Sequence, residues 1–202
     1  MGLLLHLLLA LSAAEGALAA PLYKVEIDNA WVHVVRETLA PHEKSAAHTH
    51  VNPTVTVYVS PTRDHHAGDV VWRDAGPHAD ENLSDQPAEF VVIELKPDAP
   101  PSPQVALDPV KLEPEYVSVA LENSRVRVLR TVLEPGVKSP VHEHPHYVVV
   151  YLTELHTTMT LGDGREVDNP RRPGETAWRD YMKHSTLNVG TRTAVEIQVE
   201  LK

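Results

Sequence analysis

The chain of 202 residues contains no cysteine, which excludes disulfides and thiolate metal sites. Cations are also scarce. Eighteen Lys and Arg stand against 28 Asp and Glu, for a formal charge of −10 and a pI near 5.7. No basic stripe breaks that acidity, and counterion release on a nucleic acid or an anionic membrane needs one. The negative charge is read as ordinary solubility. Helix-length apolar periodicity is rare, and seventeen prolines point instead to strands and turns.

Long hydrophobic runs are missing as well. The longest, Leu3 to Leu11, is interrupted by His6 and is too short for a comfortable membrane span. Followed by Ala17-Leu18-Ala19, it fits a secretory signal peptide over residues 1–19, although its start carries no Lys or Arg. Cleavage after Ala19 would leave a periplasmic or secreted chain with no stable membrane association. An uncleaved anchor and a misassigned start codon are the alternatives.

What the chain does contain is one pattern written twice. His48-Thr49-His50 and His142-Glu143-His144 each follow a Pro-x-x-Lys-Ser stretch, at Pro41 to Ser45 and Pro135 to Ser139. Each is answered by Trp-Arg-Asp, at Trp72 and Trp178, then by a His with an Asn four residues on: His78 and Asn82, His184 and Asn188. Both copies close on Glu-Leu-Lys. Val25 to His50 aligns with Val119 to His144 without a gap, eleven of 26 positions being identical. Gly68 to Lys96 aligns with Gly174 to Lys202, ten of 29 being identical. Between these blocks the second copy carries an extra hairpin, His156 to Leu161 and Arg165 to Val167 about Gly162-Asp163-Gly164. The first copy, lacking it, should turn tightly near Asp64, His65 and His66.

Period-two alternation of β-branched residues dominates both copies, as in Val32 and Val34, Val55 to Val59, Val126 and Val128, and Val195 to Leu201. The predicted fold is all-β, with two tandem jelly-roll barrels. The first, shortened and more degenerate, covers residues 22–96, and the second covers 115–202. Each is small for an independent core, so the halves should pack on one another. Residues 97–114 hold six of the prolines and read as a semi-rigid extended linker.

Residues two apart on a strand share a face, so His48 and His50 project together, as do His142 and His144. A third His from a facing strand, His78 or His184, completes a trio around one divalent transition metal: Fe, Zn, Ni, Cu or Mn. The second copy is the stronger candidate. His146 and Tyr147 flank it as candidate pocket residues. Trp72 and Trp178 read as wall packing, Arg73-Asp74 and Arg179-Asp180 as local or rim pairs, and Asn82 and Asn188 as ligands of backbone. The Asn82-Leu83-Ser84 glycosylation sequon is discounted because it overlaps the repeat.

On these residues the chain resembles the cupin superfamily. Gly136, His142 and His144 match its first motif, and Pro173-Gly174, His184 and Asn188 match its second loosely. The stretches Glu122 to Val128 and His142 to Tyr151 are similar to small bacterial cupins labelled beta-alanine degradation proteins. The resemblance implies a tandem bicupin over residues 25–96 and 119–202. The family usually supplies a Glu three or four residues after the second His; here Thr54, Val55, Val148 and Val149 stand there. That argues against an oxalate-type site with three His and one Glu, and leaves the three-His class the superfamily also contains, in thiol and diketone dioxygenases. His42 replaces the motif glycine in the first copy.

Two functions fit. One is an exported metal-dependent enzyme, dioxygenase-like or hydrolytic, acting on a small anionic molecule. The other is a non-catalytic bicupin that binds a metal or small ligand, or serves as a scaffold. Self-association stays open in both.

Overall fold

The computed structural model describes residues 22–202; the expected leader lies outside them. Seven strands build the first half: β1 (Leu22–Asp28), β2 (Val32–Leu39), β3 (His48–His50), β4 (Thr54–Tyr58), β5 (Val70–Arg73), β6 (Gly76–His78) and β7 (Ala88–Leu95). One short helix follows, α1 (Pro109–Leu112), capped by the Asp108 carboxylate, which accepts from Val110 N–H. The second half has nine strands: β8 (Val117–Glu122), β9 (Val126–Leu133), β10 (His142–His144), β11 (Tyr147–Tyr151), β12 (Leu155–Leu161), β13 (Glu166–Arg171), β14 (Thr176–Arg179), β15 (Met182–Asn188) and β16 (Ala194–Leu201). The two additional strands are the β12–β13 hairpin expected from the repeat.

Each half is a separate antiparallel system of one large and one small sheet. The large sheets run β1-β2-β7-β4-β5 and β14-β11-β16-β9-β8, and the small ones β3-β6 and β10-β15-β12-β13. The expectation of two barrels is met at this coarser level: among the described residues the ladders stay four open sheets. Losing the hairpin is what reduces the small sheet of the first half to two strands.

The two large sheets pack back to back. Val32, Val34, Val55, Val57, Val91 and Ile93 meet Val126, Val128, Val148, Val150, Ile197 and Val199 in one buried cluster. Every residue of β4 and of β11 is buried, because one face enters this shared core and the other faces its own half. Each fully buried Val contributes about 1.5 kcal/mol or more, so this shared core stabilises both halves together.

The packing is reciprocal. Arg36 of the first half hydrogen-bonds the Gly174 carbonyl of the second, while any Cβ at Gly68 would strike the Arg130 guanidinium and Leu152. A Cβ at Gly174 would in turn press on Arg36 and Val59. Arg36 aligns with Arg130, Gly68 with Gly174, and Val59 with Leu152, so the duplicated halves contact as an isologous dimer would. Arg36 also binds Glu26 at 2.8 Å, and Glu26 accepts from Thr176 of the other half at 2.6 Å.

Residues 97–114 are more than a linker. Ala106 and Leu107 donate to the Glu143 carboxylate at 2.8 and 3.2 Å, and Glu143 N–H donates to the Leu107 carbonyl. Ser102 accepts from His146 N–H, and Asp108 holds Arg127 at 2.9 Å. The segment is a strap along β10, fixed by polar contacts that apolar periodicity does not register.

Candidate metal centres

In β10 the side chains of His142 and His144 share a face, and His184 of β15 stands directly across the ladder from His142. The third ligand therefore comes from the neighbouring strand of the same sheet rather than from a facing one. His48, His50 and His78 repeat the arrangement, with His48 opposite His78. In each trio the nearest ligand atoms all lie within 4.8 Å of one another, close enough for one ion. The structure thus brings together both sets of three His.

In the second half every ring is oriented from behind. His144 Nδ1 lies 2.7 Å from Glu200 Oε1. His142 Nδ1 lies 3.0 Å from the Pro140 carbonyl and 2.7 Å from Glu113 Oε1. His184 Nδ1 meets the Thr186 hydroxyl at 3.2 Å. These contacts leave Nε2 to face inward, the arrangement in which outer groups fix the tautomer of a metal-binding imidazole. Nε2 of His144 and of His184 is buried with no hydrogen-bond partner among the described residues. Leaving such an atom unpaired costs about 1–3 kcal/mol, and a divalent ion would satisfy both. Burial, and then the charge of the neighbouring rings, holds His144 and His184 well below the ordinary imidazole range. Both are therefore neutral, as ligands must be. Burial likewise raises Glu200 to about 7. The site fits a divalent metal.

The trio opens into a cavity of about 40 Å³. Tyr147 lines it beside His144, with ring centroids 4.9 Å apart. His146 does not line it. As the preceding residue on an extended chain it faces the opposite side, where it packs on Trp31 and Trp178 between the halves. Trp178 stacks on Trp31 there, and both Trp72 and Trp178 donate to the Asp two residues on. Their Arg neighbours do not pair at the rim. Arg179 turns into the cavity, donating to the Tyr151 hydroxyl at 3.2 Å and to Asn169 at 3.3 Å, and Arg73 binds Asp80. Glu196 also lines the cavity, and burial raises its pKa. Asn82 and Asn188, both fully buried, bridge backbone carbonyls as expected.

The first centre is built differently. His50 Nδ1 meets Glu94 at 3.0 Å and His48 Nδ1 the Ala46 carbonyl at 3.1 Å, matching the second half. All three rings are only partly buried, and burial lowers His78 despite the Asp80 carboxylate beside it. Each half keeps one carboxylate on the same cross-strand pair but on opposite strands: Glu37, buried, faces Phe90, while Thr131 faces Glu196, which is only partly buried. His42, in the place of Gly136, adopts the same left-handed backbone, φ 58° against 77°.

Sequence reasoning missed Glu113, Glu200, Glu94, Glu196 and Asp80, and read Arg179 as a local or rim pair rather than a cavity residue. For Glu94 and Glu200 a signal existed, since the Glu-Leu-Lys that closes both copies carries them. Glu113 has no counterpart in the repeat and reaches His142 only through the fold of the strap.

Neither a family model nor a curated protein sequence matches the chain. Among solved structures it is similar to AerE from Microcystis aeruginosa: 13% identity over 90% of this chain and 98% of that one, TM-score 0.64. It is also similar to oxalate decarboxylase from Bacillus subtilis, with 13% identity over 84% of this chain and 68% of that one, TM-score 0.60. Lactobacillus farciminis oxalate decarboxylase gives 12% identity over 84% and 76%, TM-score 0.59. The likeness is one of fold, two antiparallel β halves in tandem, here with a cluster of three His in each half that can hold a divalent ion.

Proposed function

We propose that the second half is the catalytic centre of a metal-dependent bicupin enzyme acting on a small anionic molecule, dioxygenase-like or hydrolytic in type. The observation that carries this reading is the convergence of three imidazoles and one guanidinium, Arg179, on a single cavity. His142, His144 and His184 would hold the ion, which supplies Lewis acidity and open positions for substrate, oxygen or water. Arg179, kept in place by Tyr151 and Asn169, binds the anionic group of the substrate. Burial keeps the Tyr147 hydroxyl protonated as a hydrogen-bond donor and raises the pKa of Glu196. A volume of about 40 Å³ admits only about three or four water-sized groups. Small carboxylates are the natural class, and the L. farciminis enzyme of this fold was solved with formate.

A binding role without turnover is the second reading. It is favoured by one observation: the Tyr147 hydroxyl that lines the cavity beside His144 is raised by burial and offers no base at neutral pH. Oxygen uptake and hydrolysis assays of metal-loaded protein across small acids, diketones and thiols separate the two. Turnover that Arg179→Met abolishes supports catalysis, whereas metal binding with no turnover of any of them supports the binding role. We also assign the mature chain to the periplasm or exterior, on the leader-like residues 3–19. N-terminal sequencing of the exported protein, with a start near Ala20, tests that.

A further inference from the structure

We propose that the second half carries a ligand site outside the histidine cavity: an arginine cleft that binds a small molecule with two or more negative charges on phosphate or carboxylate oxygens. Arg171, Arg172 and Arg192 line a cleft of about 800 Å³ together with Glu154, Glu175 and Thr191. That volume suits a whole small molecule rather than a single ion. Three guanidiniums against two carboxylates leave the cleft positive, on a chain whose formal charge is −10. His156, at its edge, is engaged by Asp168 at 2.6 Å. Neither carboxylate satisfies its arginine. Glu175 and Glu154 stand 3.8 Å from Arg171 and Arg192, beyond hydrogen-bond reach. Arg172 is exposed and has no ion pair among the described residues. Such loose surface pairs are worth little, whereas an oxyanion can take two donors from one guanidinium edge in short, charge-assisted bonds.

Arg171 is already held in place. Its Nε donates to Asn169 Oδ1 at 2.8 Å, and its guanidinium lies over the Tyr151 ring, 5.3 Å from the centroid. Both Nη groups are left for the cleft, with little side-chain freedom still to lose on binding. The same Asn169 and Tyr151 hold Arg179 on the cavity side, so the two sites share a wall. The duplication shows that the fold does not require this charge. Arg171 ends β13 and Arg172 follows it, so both belong to the hairpin that the first half lacks. Thr191 and Arg192 correspond to Asp85 and Gln86. The turn before the last strand thus carries one negative charge in the first half and one positive charge in the second. A pattern imposed by the fold would recur in both copies, and this one is confined to the copy with the cleft.

Full-length protein is titrated by calorimetry at low ionic strength, where screening is weak, with inorganic phosphate and separately with tricarballylate. At least one of the two should saturate a single site per chain that persists in Arg179→Met and in His142→Ala. Those two variants disable the histidine cavity, so failure of the catalytic reading is distinguished from failure of this one. Arg192→Gln, which installs the residue of the first half, and Arg172→Gln should each weaken binding by about tenfold. Both side chains are exposed, so neither change touches the core. Saturation by phosphate alone supports the site with a phosphate ester as its ligand, and saturation by tricarballylate alone supports it with a polycarboxylate. Saturation by neither, binding that is lost in Arg179→Met, or binding unmoved in both arginine-to-glutamine variants overturns the proposal.

Discussion

Glu200 Oε1 stands 2.7 Å from Nδ1 of His144, with both side chains almost fully buried. The pair lies on the side of the imidazole away from the cavity, so its effect on any bound ion is exerted through ring orientation and basicity. Glu200→Gln keeps the volume and removes the carboxylate. The expected result is a 10–100-fold loss of Zn(II) or Co(II) affinity at the second site, the range typical of such outer partners. Calorimetric titration measures it, and affinity within twofold of native would show the pair to be only structural.

Acid should loosen the contact between the halves before it reaches the interior. Burial alone would raise Glu26, but hydrogen bonds from Arg36 and Thr176 outweigh it and hold the carboxyl at about 2. A carboxyl lowered in the folded state stabilises fully above its ordinary value, 4.5, and loses that contribution as pH falls through about 2. The contribution at neutral pH is on the order of 1–2 kcal/mol after allowance for solvent screening at the rim. Denaturant unfolding of native protein and Glu26→Gln should differ by that amount at pH 6, and the gap should narrow from pH 4.5 downward. A gap independent of pH contradicts the assignment.

The left-handed turn before each His pair gives a paired test of backbone strain. Nothing lies within 4 Å of a Cβ placed on Gly136, so Gly136→Ala isolates the conformational cost, about 1 kcal/mol of lost stability. His42→Gly should do the opposite and gain about 0.5–1 kcal/mol, the exposed contact of His42 with Asp85 being worth little. Urea midpoints of the two variants should move in opposite directions.

Much of the fold was legible because its periodicities are local. Alternating Val in the segments that became β2, β4, β9 and β11 marks strands, and Gly162 to Gly164 marks the added hairpin. The His trios were legible because duplication separates signal from accident: His78 and His184 lie far along the chain from their partners, yet recur at corresponding places. What escaped depends on packing between elements. The direction of Arg179 into the cavity and of His146 away from it follows from which face of each strand meets the other half. Glu113 reaches His142 because the strap folds back along β10, and Pro-rich composition alone indicated an extended crossing.

The central claim is that His142, His144 and His184 hold a divalent transition metal. Metal analysis of full-length protein purified without a histidine tag, with thermal unfolding before and after metal removal, tests it most directly. A transition metal should copurify or be taken up stoichiometrically and raise the unfolding temperature, as any ligand of the native state does. His142→Ala and His184→Ala should each abolish the part that depends on the second site. Protein that takes up no transition metal, and whose stability and metal content are unmoved by His142→Ala, would contradict it.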